Sequence, residues 1–183
     1  MVPPTDNLAF DYTAMQDALS GAQTSDEINR AIVDTPFRLC RPQAALIFLG
    51  ITVLLEVNTK SHTIDRIALS ETELARNTTQ VSYVPFEAIK IPVDDPDNII
   101  AKALRSGMPQ DTTDWRYLFT PALTAEQARI NQASGGIAFS AVYPVDTNRA
   151  IIFSYYQYQQ HIGKAQRDFM DHYTALVRQK LAA

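Results

Sequence analysis

The strongest constraint on the fold is an apolar run that reads AALIFLGITVLL over residues 44–55. The run is shorter than the roughly 20 residues that a membrane-spanning helix needs. It is rich in β-branched residues and lies far from the N-terminus, so it is neither a signal sequence nor a membrane anchor. The run therefore predicts a β-strand that is buried on both faces.

A second pair of strands is indicated by the segment GIAFSAVYPVDTNRAIIFSYY. Two apolar stretches, near 137–145 and 150–158, flank a polar turn at 146–149, and this arrangement is typical of a β-hairpin. A turn at these residues pairs Tyr143 with Ile152 and Ala141 with Ser154. Both faces of the hairpin are mostly apolar, as expected for central strands that are covered on both sides.

The rest of the chain predicts an α+β fold in one domain spanning residues 1–183. Weaker strands are predicted at 62–69 and 86–93, and helices at 5–21, 24–33, 95–106, 124–132 and 164–181. Residues 70–85 are predicted to form at most one helical turn, and residues 1–4 to be disordered. We expect a central antiparallel β-sheet of about five to six strands, with the N- and C-terminal helices on one face and a helix-loop crossover over the other.

The predicted crossover begins with the segment NIIAKALRSGMPQDTTDW, which ends in the only tryptophan of the chain. Asp95 is predicted to cap the start of its helix, and Gly107 to end the helix in a left-handed conformation. Trp115, Tyr117 and Phe119 then alternate with other residues, which predicts an extended segment with the aromatic rings on one side. Our interpretation is that this crossover covers a pocket.

The order of elements resembles the GAF domain, and three places carry the likeness. The stretch IAKALRSGMPQDTTD is similar to the family's helix, Gly-x-Pro and aspartate-bearing crossover. The predicted hairpin is similar to the two central strands of the family, although Ile152 stands near a position that often holds glycine there. The third place is the final helix after residues 161–163. The likeness covers a core of about 24–181, which is nearly the whole chain.

The resemblance implies a sensory role. GAF domains are mostly regulatory modules that bind small molecules such as cyclic nucleotides, bilins or haem, or that bind nothing and dimerise. Covalent bilin attachment in the family uses a cysteine near the crossover, whereas Cys40 precedes the first predicted strand, which argues against a bilin. The resemblance leaves the identity of the ligand and of any cofactor unknown.

Composition and motifs argue against several other functions. The net charge is −4 and the pI is about 5.3, and no basic cluster provides a surface for nucleic acid. Cys40 is the only cysteine, so a disulfide cycle such as that of the GAF-fold methionine sulfoxide reductases is not expected. His62, His161 and His172 are too scattered to suggest a metal site. With no nucleophile or phosphate-loop motif and no membrane segment, we expect a cytoplasmic protein that is not an enzyme.

The candidate ligand site combines the crossover with the hairpin. Small side chains beside tyrosines leave room for a planar ligand, and hydroxyl and carboxyl groups can orient it. The candidate ligand-binding residues are Asp111, Thr113, Asp114, Trp115, Tyr117, Ser140, Tyr143, Ser154 and Tyr156. The alternative is that the aromatic side chains simply fill the core and that no ligand binds.

The candidate dimer interface consists of two helical stripes. Its residues are Leu8, Tyr12, Met15 and Leu19 in the N-terminal helix and Phe169, Tyr173 and Leu176 in the C-terminal helix. The end helices of GAF domains often pair with those of a second subunit, so the resemblance implies a homodimer that passes its signal to a separate output protein. The alternative is that both stripes pack only against their own sheet.

Overall fold

The computed structural model describes residues 9–156 and 162–183. The helices are α1 (Tyr12–Gly21), α2 (Ser25–Leu39), α3 (Arg41–Leu46), α4 (Glu73–Val81), α5 (Ile99–Ser106), α6 (Arg116–Phe119), α7 (Ala125–Ser134) and α8 (Lys164–Ala182). The strands are β1 (Leu49–Asn58), β2 (Thr63–Leu69), β3 (Lys90–Pro92), β4 (Gln110–Thr112), β5 (Ile137–Pro144) and β6 (Arg149–Tyr156). The predicted helix start at 5–8 and strand end at 157–158 lie outside the described residues.

The six strands form a single sheet in the order β3-β2-β1-β6-β5-β4, and all neighbouring pairs are antiparallel. Helices α1, α2 and α8 pack on one face, which we call the helix face. Helices α4 to α7 and their connections pack on the other, which we call the crossover face. The structure therefore confirms the predicted α+β fold, with its terminal helices and its crossover on opposite sides of an antiparallel sheet.

The helix predicted at 24–33 is longer than expected, because α2 continues through Pro36 to Leu39. A proline has no N–H to give to the carbonyl four residues earlier, which here belongs to Ile32. The hydroxyl of Tyr173 on α8 donates to that carbonyl at 2.7 Å and replaces the lost partner. The chain then forms α3, so the first strand begins at Leu49 and not at residue 44.

The predicted hairpin is confirmed, but its register is wrong by one residue. Tyr143 pairs with Ile151 instead of Ile152, and Ser140 pairs with Ser154. The reason is the turn, in which the N–H of Val145 already bonds to the carbonyl of Arg149. A shift of one residue moves every side chain of a strand to the opposite face.

On the crossover face, several element boundaries differ from the predicted ones. Helix α4 is longer than one turn, because the Thr72 hydroxyl caps its start by accepting from the N–H of Ala75. Asn98 and not Asp95 caps α5, while Asp95 accepts from the N–H of Asp97 and of Asn98 in the preceding turn. The strand predicted at 86–93 is reduced to β3 by a 3₁₀ turn at Phe86–Ala88.

The segment after Asp114 is a short helix, α6, and not the predicted extended segment. The Asp114 carboxylate accepts from the N–H of Arg116 at 2.9 Å and so supports a helical start. In a helix, residues four apart lie together, and the rings of Trp115 and Phe119 meet edge to face at 5.0 Å. Tyr117 therefore points away from them and is 39% exposed.

Candidate functional site

A cavity of about 30 Å³ lies on the crossover face, between β1, β2 and β6 and the helices above them. A space of this size holds one or two water molecules. Its apolar lining is Ile51, Val53, Leu69, Val84, Phe86, Ile89, Trp115, Phe119 and Ile152. Its polar lining is Arg66, Thr78, Thr79, Ser82, Asn131 and Ser154.

Arg66 reaches this cavity because it lies on the crossover face of β2. It follows Ile64, which is buried on that face, at the two-residue spacing of a strand. One extra residue, Ile67, follows Arg66 in the ladder. This bulge returns Leu69, another lining residue, to the crossover face.

The guanidinium of Arg66 lies between two aromatic rings. Its central carbon is 4.2 Å from the ring centroid of Phe119 and 5.2 Å from that of Phe86. Both distances permit favourable cation–π attraction. The two rings therefore hold the charged group at the cavity wall without using its N–H donors.

The charge of Arg66 is not balanced by an acid within the described residues. No hydrogen bond or ion pair joins its side chain to any other part of residues 9–156 and 162–183. Arg66 is half-buried, and the desolvation that comes with this burial lowers its pKa to about 9. The cavity lining itself contains no carboxylate.

Asn131 places a second unsatisfied polar group at the cavity. Its residue is 5% exposed, and its amide nitrogen donates to the hydroxyl of Ser82 at 3.1 Å. Its carbonyl oxygen, Oδ1, is buried and accepts no hydrogen bond from the described part of the chain. Helix α7 carries Asn131 and begins at Thr124, whose capping box confirms the predicted helix start.

A row of polar groups connects Trp115 to the cavity. The indole N–H of Trp115 donates to the hydroxyl of Ser140 at 2.8 Å, and that hydroxyl is 2.7 Å from the hydroxyl of Ser154. The side chain of Gln132 accepts from the backbone N–H of Trp115 at 2.9 Å. Trp115 is thus packed as core and also forms part of the cavity wall.

Of the other predicted ligand-binding residues, those of the crossover lie outside the cavity lining. Asp111 is exposed on the edge strand β4, and Thr113 is exposed beside it. Asp114 forms ion pairs with Arg116 at 3.2 Å and with Arg129 at 3.3 Å. Burial opposes its ionisation, but the N–H of Arg116 and the Arg129 guanidinium hold the Asp114 pKa below its usual value.

Two predicted tyrosines lie outside the cavity lining, Tyr143 because of the corrected register and Tyr156 because it lies at the end of β6. Tyr143 lies on the helix face, where its ring meets Phe153 edge to face at 5.8 Å. Tyr156 packs against Phe48 and borders a different surface groove between α2 and α4. Trp115, Ser140 and Ser154 are therefore the predicted residues that the structure brings together, and their role in ligand binding stays a prediction.

Sequence reasoning missed Arg66 and Asn131, and it missed the wall formed by residues 78–89. One signal was present for Arg66, since it follows Ile64 at the two-residue spacing of a strand face. A cation at an inward position of an otherwise apolar pattern indicates a possible site. Asn131 carried no comparable signal, because its helix is mostly polar.

Most residues of the two helical stripes are buried within their own chain. Met15, Leu19, Phe169 and Tyr173 are at most 1% exposed in the helix-face core. Tyr12 is half-buried and stacks on His172 at 3.7 Å, and Leu176 is also half-buried. Leu8 lies outside the described residues.

Other classes of site find little support. Cys40 is 1% exposed, and burial raises the pKa of its thiol, so a reactive thiolate is disfavoured. Within residues 9–156 and 162–183, no group of three or more histidine, cysteine and acidic side chains could hold a metal ion. No helix in those ranges is both long and apolar enough to span a membrane.

Comparison with solved structures identifies the fold. The chain is similar to the GAF domain of an Acinetobacter phosphoenolpyruvate-protein phosphotransferase, with 8% identity, a TM-score of 0.59, and coverage of 97% of this chain and 91% of that one. A methyl-accepting chemotaxis protein segment matches with 10% identity, a TM-score of 0.60, and coverage of 92% and 94%. These similarities show that the chain has a GAF-like fold.

One structural relative is an enzyme. The fRMsr protein of Staphylococcus aureus, a methionine sulfoxide reductase, matches with 9% identity, a TM-score of 0.53, and coverage of 94% of this chain and 96% of that one. No family sequence model matches the chain, and a search of curated proteins finds no relative by sequence. At these identities the likeness concerns the fold alone.

Proposed function

We propose that this GAF-like domain is a sensory module that binds a small molecule in the cavity of the crossover face. The observation that carries the proposal is the buried Asn131 carbonyl, which lines the cavity and finds no donor in the described chain. Leaving such a group unpaired costs about 1–3 kcal/mol. A ligand that donates a hydrogen bond recovers that free energy, whereas a fully packed core has no reason to retain the group.

A ligand larger than one or two waters needs the cavity to open. The outer wall is formed by residues 78–89, which comprise the end of α4 and the chain that leads from it back to the sheet at β3. A hydrogen bond from Asn131 to Ser82 connects this wall to α7. We expect the wall to move outward when the ligand enters, with the population shifting toward the open form.

Strand β6 provides a route from the cavity to the terminal helices. Ile152 and Ser154 line the cavity, while the intervening Phe153 packs edge to face on Phe169 of α8 at 5.8 Å. Neighbouring residues of one strand point to opposite faces of the sheet. A displacement of β6 at the ligand therefore changes how α8 packs on the helix face. This coupling is how binding would reach a separate output protein.

Dimerisation through α1 and α8 forms the remaining part of the proposal. Tyr12 and Leu176 are the half-buried members of the two stripes and are still accessible to a second subunit. The large apolar side chains that are exposed among the described residues lie outside both helices. Native mass spectrometry tests this part directly, because a monomer mass at micromolar concentration would contradict it.

The ligand-binding proposal is tested by a thermal-shift screen of neutral, cationic and anionic small molecules against the purified protein. A molecule that binds only the folded state raises the melting temperature. We expect a concentration-dependent rise that disappears in Asn131→Leu, a variant that removes the carbonyl but keeps a similar volume. Absence of any rise over the whole screen would contradict a sensory role.

A second candidate function is a ligand-free interaction module. The small cavity volume favours it, because the rings of Trp115, Phe119 and Phe86 already occupy most of the space under the crossover. In that case one or two waters satisfy the Asn131 carbonyl. We retain the proposal that the domain is not an enzyme, since its single cysteine is buried and its thiol pKa is raised.

A further inference from the structure

The charge at the cavity restricts what can bind there. Arg66 brings one positive charge into a space whose lining has no acidic residue. Taking a charge out of water is costly unless a counter-charge compensates it. Arg66 is half-buried and has no partner in the described chain, so a bound anion that displaces water from its guanidinium would supply the counter-charge.

The geometry at Arg66 leaves its hydrogen-bonding edge free. Phe86 and Phe119 attract the charge through their ring faces but accept none of its five N–H donors. A guanidinium presents these donors as a planar fork that matches the two oxygens of a carboxylate. A bidentate carboxylate would therefore satisfy both the charge and the unpaired donors.

The other groups at the cavity set the remaining requirements. A dianion such as a phosphate ester would bring more negative charge than the one cation can compensate. A zwitterion would bury its ammonium against the neutral Asn131 carbonyl, with no carboxylate of the protein to pair with it. The aliphatic walls contributed by β1, β2 and β6 suit an apolar body.

Resting on the sensory function proposed above, the geometry points to a small carboxylate monoanion as the ligand. Its carboxylate pairs with Arg66, its apolar body lies on the aliphatic strand residues, and a neutral N–H or O–H donates to Asn131. Hydroxy acids and N-acylated acids meet all three conditions. The free α-amino acids do not, because their ammonium group has no counter-charge in the cavity.

Isothermal titration calorimetry on the full chain tests this inference with matched pairs of compounds. The acids are benzoate, mandelate and N-acetylglycine, and the neutral controls are benzamide, mandelamide and N-acetylglycinamide. Phenylalanine serves as the zwitterion. We expect at least one acid to bind about tenfold or more tightly than its amide, as a charge-assisted hydrogen bond predicts.

Variants of Arg66 connect the affinity to the guanidinium. Arg66→Gln removes the charge, and Arg66→Lys keeps the charge but loses the planar fork. The matched control is Arg30→Gln on the exposed surface of α2, which changes the net charge equally. We expect a loss of about tenfold or more for Arg66→Gln, a smaller loss for Arg66→Lys, and no change for Arg30→Gln. If Arg66→Gln does not fold, the inference is tested by comparing the affinities of each acid and its amide in the wild type and in Arg66→Lys.

The outcomes separate this inference from the proposed function. Preferential binding of acids that depends on Arg66 supports both. Binding of the amides as tight as that of the acids overturns the carboxylate ligand, and equally tight binding of phenylalanine overturns the restriction to monoanions. Either result keeps a small-molecule sensor. Absence of binding by every acid also overturns the inference, and absence of any hit in the thermal-shift screen overturns the sensory function as well.

Discussion

The two faces of the sheet differ in the types of side chain that pack on them. On the helix face, Phe153, Phe169 and Tyr173 contact one another through edge and stacked geometries with centroids 5.5 to 6.4 Å apart. The crossover face instead combines small and aliphatic strand residues with one cation, several hydroxyls and a cavity. The helix face is therefore suited to stability, and the crossover face retains the polar groups that a ligand requires.

Buried polar groups without a hydrogen-bond partner occur on both faces of the sheet, so in this respect the two faces differ only in degree. The helix face also encloses two hydroxyls, those of Tyr155 and Thr174, that find no partner in the described chain. Neither lines the cavity. What distinguishes the crossover face is that Arg66, which has no partner in the described chain, and the unsatisfied Asn131 carbonyl converge on one space. Convergence of polar groups in an apolar pocket is the usual mark of a binding site.

The largest effect is expected from truncating the aromatic core. Phe153→Ala should lower the free energy of unfolding by about 3–5 kcal/mol, because it leaves a cavity between β6 and α8. Ile152→Val, the neighbouring position on the crossover face, should cost about 0.5–1.5 kcal/mol. Urea denaturation followed by circular dichroism measures both. Equal losses would contradict the division between the two faces.

The next effect concerns the partner of Pro36. Tyr173→Phe should cost about 1–3 kcal/mol, because the buried Ile32 carbonyl then has no donor. Replacing Pro36 with alanine restores a backbone N–H that can bond to that carbonyl. In the Pro36→Ala background, Tyr173→Phe should therefore cost less. A double-mutant cycle in urea checks this, and an unchanged cost would show that the hydroxyl acts elsewhere.

Removing the charge from the cavity should act in the opposite direction. Arg66→Met eliminates a half-buried charge that no acid of the described chain compensates, so the unliganded protein should gain up to about 1 kcal/mol of stability. The same variant should no longer gain stability from the carboxylates. Denaturation with and without ligand measures both quantities. A loss of several kcal/mol in the unliganded variant would mean that Arg66 serves the core.

The smallest effect is expected at the surface of the crossover. Asp114→Asn removes ion pairs with Arg116 and Arg129, and it should cost about 0.5 kcal/mol at neutral pH because these groups are partly solvated. The pKa of Asp114 is lowered in the folded state, so its contribution is present above the unfolded value and is lost as the pH falls through the folded value. The difference in stability between wild type and variant should therefore be smaller at pH 3 than at pH 7.

Local sequence pattern was sufficient where a segment's structure depends on its own residues. The apolar run of β1, the β5–β6 hairpin and the capping box at Thr124 were all recognisable, because strand propensity, turn residues and helix caps act over a few positions. The predictions were wrong where tertiary contacts determine the structure of a segment. Helix α2 passes Pro36 because Tyr173 supplies a donor from α8.

The same reasoning explains why the cavity was found only in part. Trp115 was recognised as a cavity residue, but it was expected in an extended segment. In the structure a helical turn places its ring against that of Phe119. The residues with unsatisfied groups, Arg66 and Asn131, come from segments that are distant in sequence. Their convergence depends on the pairing of β2 in the sheet and on the packing of α7 against α4 and β5, and neither is visible in local pattern.

Native-state hydrogen exchange tests the central claim most directly, because it measures the opening of each face separately. The account predicts that amides of residues 82–89 exchange through a local opening of low free energy. Those of β6 and α8 should exchange only with global unfolding. A bound carboxylate should slow exchange in residues 82–89 by far more than in α8. Equal protection of both faces, unaffected by any ligand of the screen, would contradict the account.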